Sequence, residues 1–312
     1  MRSTNRSWML AVTCASLWGA CSDSDTSDAA PDAAPAGYSP AEAKWEFWDA
    51  FHAGNIDAIG TARDHLIAAI ETDPLDDELP RLVGMSYSLS ALEGNVMSSP
   101  PTEAVQAQGR YLDQARGIAH NPYAKALDDI LYSGYPFFIG QQLGDAAQTQ
   151  QGLDLMATVK AAYPVLGNFS SATILLRSPR NTPYFTQAVE AYFQFLELCT
   201  GTTIDRNNPD LTGMLHGSTV DPLCQNITNV PHLVQGGLFL FADVLVKNNQ
   251  ISEATAVYQT IKQSDGFATW KYRDFVDQRL ASDLVARAAA YDPANAMQPA
   301  LGATPCLACH EQ

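Results

Sequence analysis

The 312-residue chain predicts an all-α fold, an antiparallel array of helices over residues 39–292. Three observations carry that expectation. Apolar residues recur at helical spacing in run after run, whereas no run alternates apolar and polar residues over strand length. Successive runs are separated by capping and breaking signals, of which Gly54-Asn55, Asp73-Pro74 and Thr182-Pro183 are the plainest. With 46% of its residues hydrophobic, the chain has ample material for a core, in one large domain or two smaller ones.

Order begins at Ser39-Pro40-Ala41-Glu42, which combines an N-cap serine, proline at the first helical position and a capping-box glutamate. The helix that follows sets Trp45, Trp48 and Phe51 or His52 on one side, and Gly54-Asn55 ends it. A second run over residues 56–72 carries Ile59, Leu66, Ile67 and Ile70 on its apolar face. A third, over residues 78–93, carries Leu82, Val83, Met85, Tyr87, Leu89 and Leu92. Further helices are expected over 102–119, 123–133, 145–162, 182–198, 238–247 and 253–258. Residues 200–230 break the array with Asn207-Asn208-Pro209-Asp210, Gly213, Gly217 and Pro222, a stretch long enough to suggest a purpose. Its Asp205, Asn207 and Asp210 could imitate part of a calcium loop, although their spacing departs from the EF-hand pattern. After Tyr291-Asp292-Pro293 an irregular tail, residues 293–312, leads to the C-terminal cysteines.

Ala68-Ala69-Ile70-Glu71-Thr72-Asp73-Pro74 resembles the end of the second helix of a tetratricopeptide repeat. Residues 238–247, the turn Asn248-Asn249-Gln250 and Glu253-Ala254-Thr255-Ala256-Val257-Tyr258 resemble both helices of another. The resemblance implies a TPR-like α-solenoid over 39–292 with regular ends and a divergent middle. Concave arrays of this kind generally bind proteins or peptides, which makes an envelope scaffold one reading of the chain.

The first 20 residues read as a signal peptide. Arg2 and Arg6 precede an uncharged stretch from Trp8 to Ala20 that is too short to span a bilayer. Gly19-Ala20-Cys21 resembles the lipobox of bacterial lipoproteins, with Trp18 where the family usually has Leu. That resemblance implies acylation of Cys21, with simple cleavage near Ala20 as the alternative, and Ser22 resembles the outer-membrane sorting choice. Residues 21–38 are then a polar, anchored tether. The expected location is the bacterial cell envelope, as a periplasmic or outer-membrane lipoprotein whose membrane contact is the N-terminal anchor. In such an oxidising compartment Cys199 and Cys224 are most simply a disulfide.

The strongest chemical signal is Cys306-Leu307-Ala308-Cys309-His310. C-x-x-C-H is the attachment pattern of a c-type haem: two thiols form thioethers with the vinyl groups and the imidazole becomes an axial iron ligand. In a chain of this composition the pattern arises by chance only about 0.002 times. A vicinal disulfide and half of a zinc site are the alternatives, and no second Cys or His pair at zinc spacing lies upstream. The cofactor expected is therefore covalent haem c, held by Cys306, Cys309 and His310. Since only Glu311 and Gln312 follow, a second axial ligand is expected from upstream or from another chain. The candidates are His232, at the start of an apolar helix where the helix dipole disfavours imidazolium, His216 and Met214 in the irregular segment, and Met297 in the tail. His52, His65 and His120 read as packing or surface residues. Placement of the motif near the C-terminus of an all-helical chain is similar to the cytochromes c prime, which implies an open iron position and gas binding as a further alternative.

A formal charge of −16 disfavours nucleic acid and anionic lipid as partners, serves solubility, and would suit a basic redox protein. Removal of residues 1–20 takes away Arg2 and Arg6 and no acid, so the mature chain is more acidic still. No G-x-S-x-G, H-E-x-x-H, P-loop or G-x-G-x-x-G pattern occurs. The chain reads as a monohaem electron-transfer protein rather than an enzyme of a familiar motif class.

Overall fold

The computed structural model describes residues 38–93, 102–217, 219–226, 230–291 and 307–310. Among them it forms thirteen α-helices and no strand. In chain order these are α1 Pro40–His52, α2 Ile56–Thr72, α3 Glu78–Glu93, α4 Thr102–Ile118, α5 Pro122–Leu143, α6 Ala146–Ala162, α7 Pro164–Leu175, α8 Pro183–Thr200, α9 Leu233–Lys247, α10 Ile251–Ile261, α11 Arg273–Ala281, α12 Leu284–Ala290 and α13 Leu307–His310. Sequential neighbours pack in pairs, α1 on α2, α3 on α4, α5 on α6, α7 on α8 and α9 on α10, around one continuous apolar core.

Local chemistry accounts for most boundaries. The capping box of α1 is complete: Glu42 N–H donates to Ser39 Oγ at 3.3 Å while Ser39 N–H donates to Glu42 Oε2 at 3.0 Å. Asn55, Asn121, Asp145 and Thr182 cap α2, α5, α6 and α8 with side-chain oxygens. Gly144 and Gly201 end α5 and α8 in the left-handed conformation, where a side chain would be strained.

Several helices depart from expectation: α9 begins before residue 238, α11 and α12 cover residues for which no helix was named, and α5 and α7 differ for reasons of burial. Helix α5 runs past Ser133 and through Pro136 to Leu143. Burial of Phe137 and Phe138 outweighs the backbone hydrogen bond that proline removes. Helix α7 occupies residues for which no helix was anticipated. It is buried almost all round, Ser170, Ser171 and Thr173 included, so its sequence shows no one-sided stripe.

The described residues between 201 and 232 are irregular apart from two short 3-10 turns, Thr212–Met214 and Pro222–Cys224. Cys199 and Cys224 form the disulfide that ties this segment to the last turn of α8. The acids suggestive of a calcium loop serve local turns instead. Asp205 Oδ1 accepts from Asn207 N–H at 2.9 Å, and Asp210 Oδ1 accepts from the N–H and hydroxyl of Thr212 at 3.0 and 2.7 Å.

Two buried ionic clusters lock helices together. Arg81 on α3 grips Asp128 on α5 with two hydrogen bonds of 2.5 and 3.1 Å and reaches Asp77 at 3.0 Å. Asp243 on α9 receives Tyr258 Oη at 2.5 Å and Arg279 Nε at 3.1 Å, joining α9 to α10 and α11. No helix among the described residues is long and apolar enough to cross a membrane. The expected signal segment, Cys21, the expected tether up to residue 37, Met297 and Cys306 lie outside the described residues.

Candidate functional site

The described part of the C-terminal motif, α13, is seated on α9 and also touches α1. Its backbone is held twice. The amide of His232, the residue capping α9, donates to the Cys309 carbonyl at 2.9 Å, and Trp270 Nε1 donates to the Ala308 carbonyl at 2.8 Å. The first is an amide that the start of a helix leaves without a partner inside it. Next along, Asn226 Oδ1 accepts from Val234 N–H at 2.9 Å, and Asn226 Nδ2 donates to Gln235 Oε1 at 3.1 Å. The irregular segment thus fixes the end of α9 on which the motif rests.

Approach is close because Gly236 carries no side chain. A Cβ there would lie 2.5 Å from Cys309 Sγ and 2.6 Å from the Ala308 carbonyl oxygen. Ala308 and Cys309 are buried, and the His310 ring lies 4.8 Å from the ring of Phe51 on α1 at an interplanar angle of 36°.

Cys309 and His310 both line a cavity of about 240 Å³. Its other walls are apolar: Leu127 from α5, Val165, Leu166 and Phe169 from α7, Phe195 from α8, and Leu233 and Leu240 from α9. Polar groups are few. Tyr123 stands on α5, Ser170 and Thr173 on α7, and Arg177 just after it. Burial raises the Tyr123 hydroxyl pKa, and the nearby Asp221 carboxylate adds to the effect, so this phenol stays protonated.

The structure therefore brings together Cys309, His310 and the backbone of His232. The His232 ring is half-buried, its Nδ1 has no hydrogen-bond partner, and burial lowers its pKa against an opposing contribution from Gln235, which favours the neutral ring. It is absent from the cavity lining, as are His216 and Met214. His216 lies on the surface with φ 59° and its Nδ1 2.8 Å from Asp265, and Met214 is buried in the core. Of the other histidines, His65 pairs with Glu46 and His120 with Asp77, while His52 packs beside Trp48 and Phe51 with a buried, unpartnered Nε2. Among the described residues no three His, Cys, Asp or Glu converge as a metal-ion site.

Phe51, Gly236, Trp270 and Arg177 shape the site without any motif to announce them. Only the Gly236-Gly237 pair inside a strongly apolar run hints at a close backbone approach. No family model matches the chain, and it matches no curated protein and no solved structure.

Proposed function

We propose that the chain is an exported, lipid-anchored monohaem cytochrome c that passes single electrons between envelope partners. The observation that carries this reading is the joint placement of Cys309 and His310 on the wall of an otherwise apolar cavity, instead of on a solvated tail. The donor set fits the group: a buried thiol, a neighbouring imidazole, a glycine where a Cβ would collide with the motif, and apolar walls for a flat macrocycle. Bound covalently at Cys306 and Cys309, haem would supply a one-electron iron couple.

The chain's own residues then do the positioning. His310 would hold the iron, and the Phe51 ring packed beside it restricts its rotation. Trp270 and the amide of His232 hold the backbone that carries both thiol and imidazole. Leu166, Phe169, Phe195 and Leu240 keep water from the cavity, and a low local dielectric favours the less charged state of an iron centre. The TPR-like repeat character of the paired helices belongs to the same proposal, as the docking body for a redox partner, with Cys21 as the lipid anchor. The acidic surface suits a basic partner.

The test is expression with the signal segment in a bacterium that carries a cytochrome c maturation system, beside Cys306→Ala/Cys309→Ala. Haem that stays with the polypeptide on a denaturing gel and vanishes in the double variant supports the proposal. Absence of covalent haem from the exported parent overturns it and leaves an envelope scaffold. A second reading, a haem protein that binds an external ligand such as a small gas, is favoured by a lining that, among the described residues, has no methionine and no histidine besides His310. Carbon monoxide difference spectra of the reduced protein separate the two.

A further inference from the structure

Helix α7 borders open space on two opposite faces. Val165, Phe169 and Thr173 line the cavity beside Cys309. Asn168, Ser171 and Leu175, at helical spacing i, i+3 and i+7, instead floor a groove walled by α6 and α8, which both pack on α7. The groove consists of two depressions of about 540 and 520 Å³ that meet at Gln194, and no residue lining it also lines the cavity. Two oxygens on its floor lack a hydrogen-bond partner. Asn168 is 5% exposed, and while its Nδ2 donates to the Pro164 carbonyl at 2.8 Å, its Oδ1 has no partner. Ser171 is 2% exposed, and its hydroxyl has no partner either. Thr158 on α6 and Thr173 on α7 show the usual solution for a helical hydroxyl, donating to the carbonyls of Asp154 and Ser170 at 2.8 and 2.9 Å. Ser171 does not turn back in this way, and a buried oxygen left unmatched costs stability unless a ligand supplies the match.

The walls define what would match them. Gln150 on α6 and Gln187 and Gln194 on α8 present amides that both donate and accept. Three carboxylates, Asp154, Glu190 and Glu197, accompany the ammonium of Lys160, and Arg206 already holds Glu190 at 2.9 Å and also pairs with Glu197. This balance disfavours an anion. The wall of α8 from Gln187 to its C-cap Gly201 is about 21 Å long, the span of about six residues of extended chain. An extended peptide offers N–H donors and C=O acceptors along that whole length. Among the described residues the groove has no aromatic ring on which a nucleobase would stack. We propose that the groove between α6 and α8 binds an extended peptide of about six residues with uncharged or basic side chains, whose backbone N–H groups donate to Asn168 Oδ1 and Ser171 Oγ and whose carbonyls accept from the Lys160 ammonium. The inference stands apart from the haem reading, because it uses no residue of the cavity.

The test selects hexapeptides by phage display against the purified full chain and measures the best of them, synthesised with blocked ends and a fluorophore, by anisotropy. N-methylation of that peptide, one residue at a time, should weaken binding about tenfold at alternate positions, where the N–H points at the floor. Ser171→Ala should weaken binding about tenfold by removing one hydrogen bond. The same variant should raise the urea midpoint of the free protein, because it deletes a buried hydroxyl that has no partner, whereas loss of a merely structural group would lower it. Ala157→Arg, at an exposed position on the α6 wall, should abolish binding by filling the groove. Selection that yields no peptide bound better by wild type than by Ala157→Arg overturns the assignment. So does a Ser171→Ala protein that binds as tightly as wild type or is destabilised. Sedimentation of wild type as a dimer that Ala157→Arg breaks would give the groove to a second copy of the chain and overturn the assignment equally. The N-methyl and Ser171→Ala measurements need no folded Ala157→Arg protein and decide the matter without it.

Discussion

The indole nitrogen of Trp270 donates a 2.8 Å hydrogen bond to the carbonyl of Ala308, and both residues are fully buried. The pairing spans 38 positions of sequence and ties the C-terminal motif to the turn ahead of α11. Trp270→Phe keeps much of the apolar surface and removes the donor. A buried carbonyl left without its partner costs about 1–3 kcal/mol. The expected result is an unfolding free energy lower by that amount, read from urea curves, together with, in protein produced without haem maturation, faster reaction of Cys309 with a thiol reagent. A variant that leaves both unchanged would show that the motif is held elsewhere.

Two adjacent glycines on α9 make opposite predictions. Gly236 faces the motif, where a Cβ would lie 2.5 Å from Cys309 Sγ, whereas a Cβ on Gly237 would meet nothing within 4 Å. Alanine in a helix interior is favoured over glycine by about 0.8–1 kcal/mol. Gly237→Ala should therefore stabilise the protein by up to about that amount, and Gly236→Ala should destabilise it despite the same gain in propensity. Parallel unfolding curves decide the matter, and equal shifts for the two would contradict the seating of α13 on α9.

These contrasts mark where the fold was legible. The start of α1 could be read from four residues because Ser39 and Glu42 satisfy each other's backbone amides within one turn. Cys309 and His310 stood out for a similar reason, since a motif of fixed local spacing can be read without knowledge of the fold. Helix α7 was not, because a helix enclosed on every side needs no polar face and loses the periodicity that identifies one. Nor were the cavity walls: Leu127, Phe169, Phe195 and Leu240 come from four helices that tertiary packing alone assembles. Pro136 misled in the other direction, since a local breaking signal yielded to burial of the phenylalanines that follow it.

The disulfide between Cys199 and Cys224 closes a loop over a sequence separation of 25. A loop of that length is stabilised by about 3 kcal/mol through restriction of the unfolded chain. Cys199→Ser/Cys224→Ser should lower the unfolding free energy by roughly that amount, and reductant should reproduce the loss in wild type without affecting the double variant. Because Asn226 braces the first turn of α9 from this same segment, the variant should also loosen the motif, seen as faster amide exchange at Val234 and Gln235.

Lys247 makes stability depend on pH with a definite sign. Its Nζ is enclosed by the carbonyls of Leu176 and Ser178 and lies 4.6 Å from the centre of the Phe185 ring, and burial pushes its pKa down to about 6. In the unfolded chain the amine has the ordinary lysine value, about 10.4. Between those limits the unfolded state binds more protons than the native state, so stability rises with pH, with a limiting slope of about 1.4 kcal/mol per pH unit for one proton. The stability linked to this group is complete above the unfolded value and is lost progressively as the pH falls towards 6. Lys247→Met removes the titration and also deprives two buried carbonyls of their donor, so its stability at high pH should fall while its slope flattens. Urea midpoints for both proteins at several values between about pH 6.5 and 9 separate these effects. A variant curve parallel to wild type would mean that the native lysine stays charged across this range, held by its two carbonyls and the Phe185 ring.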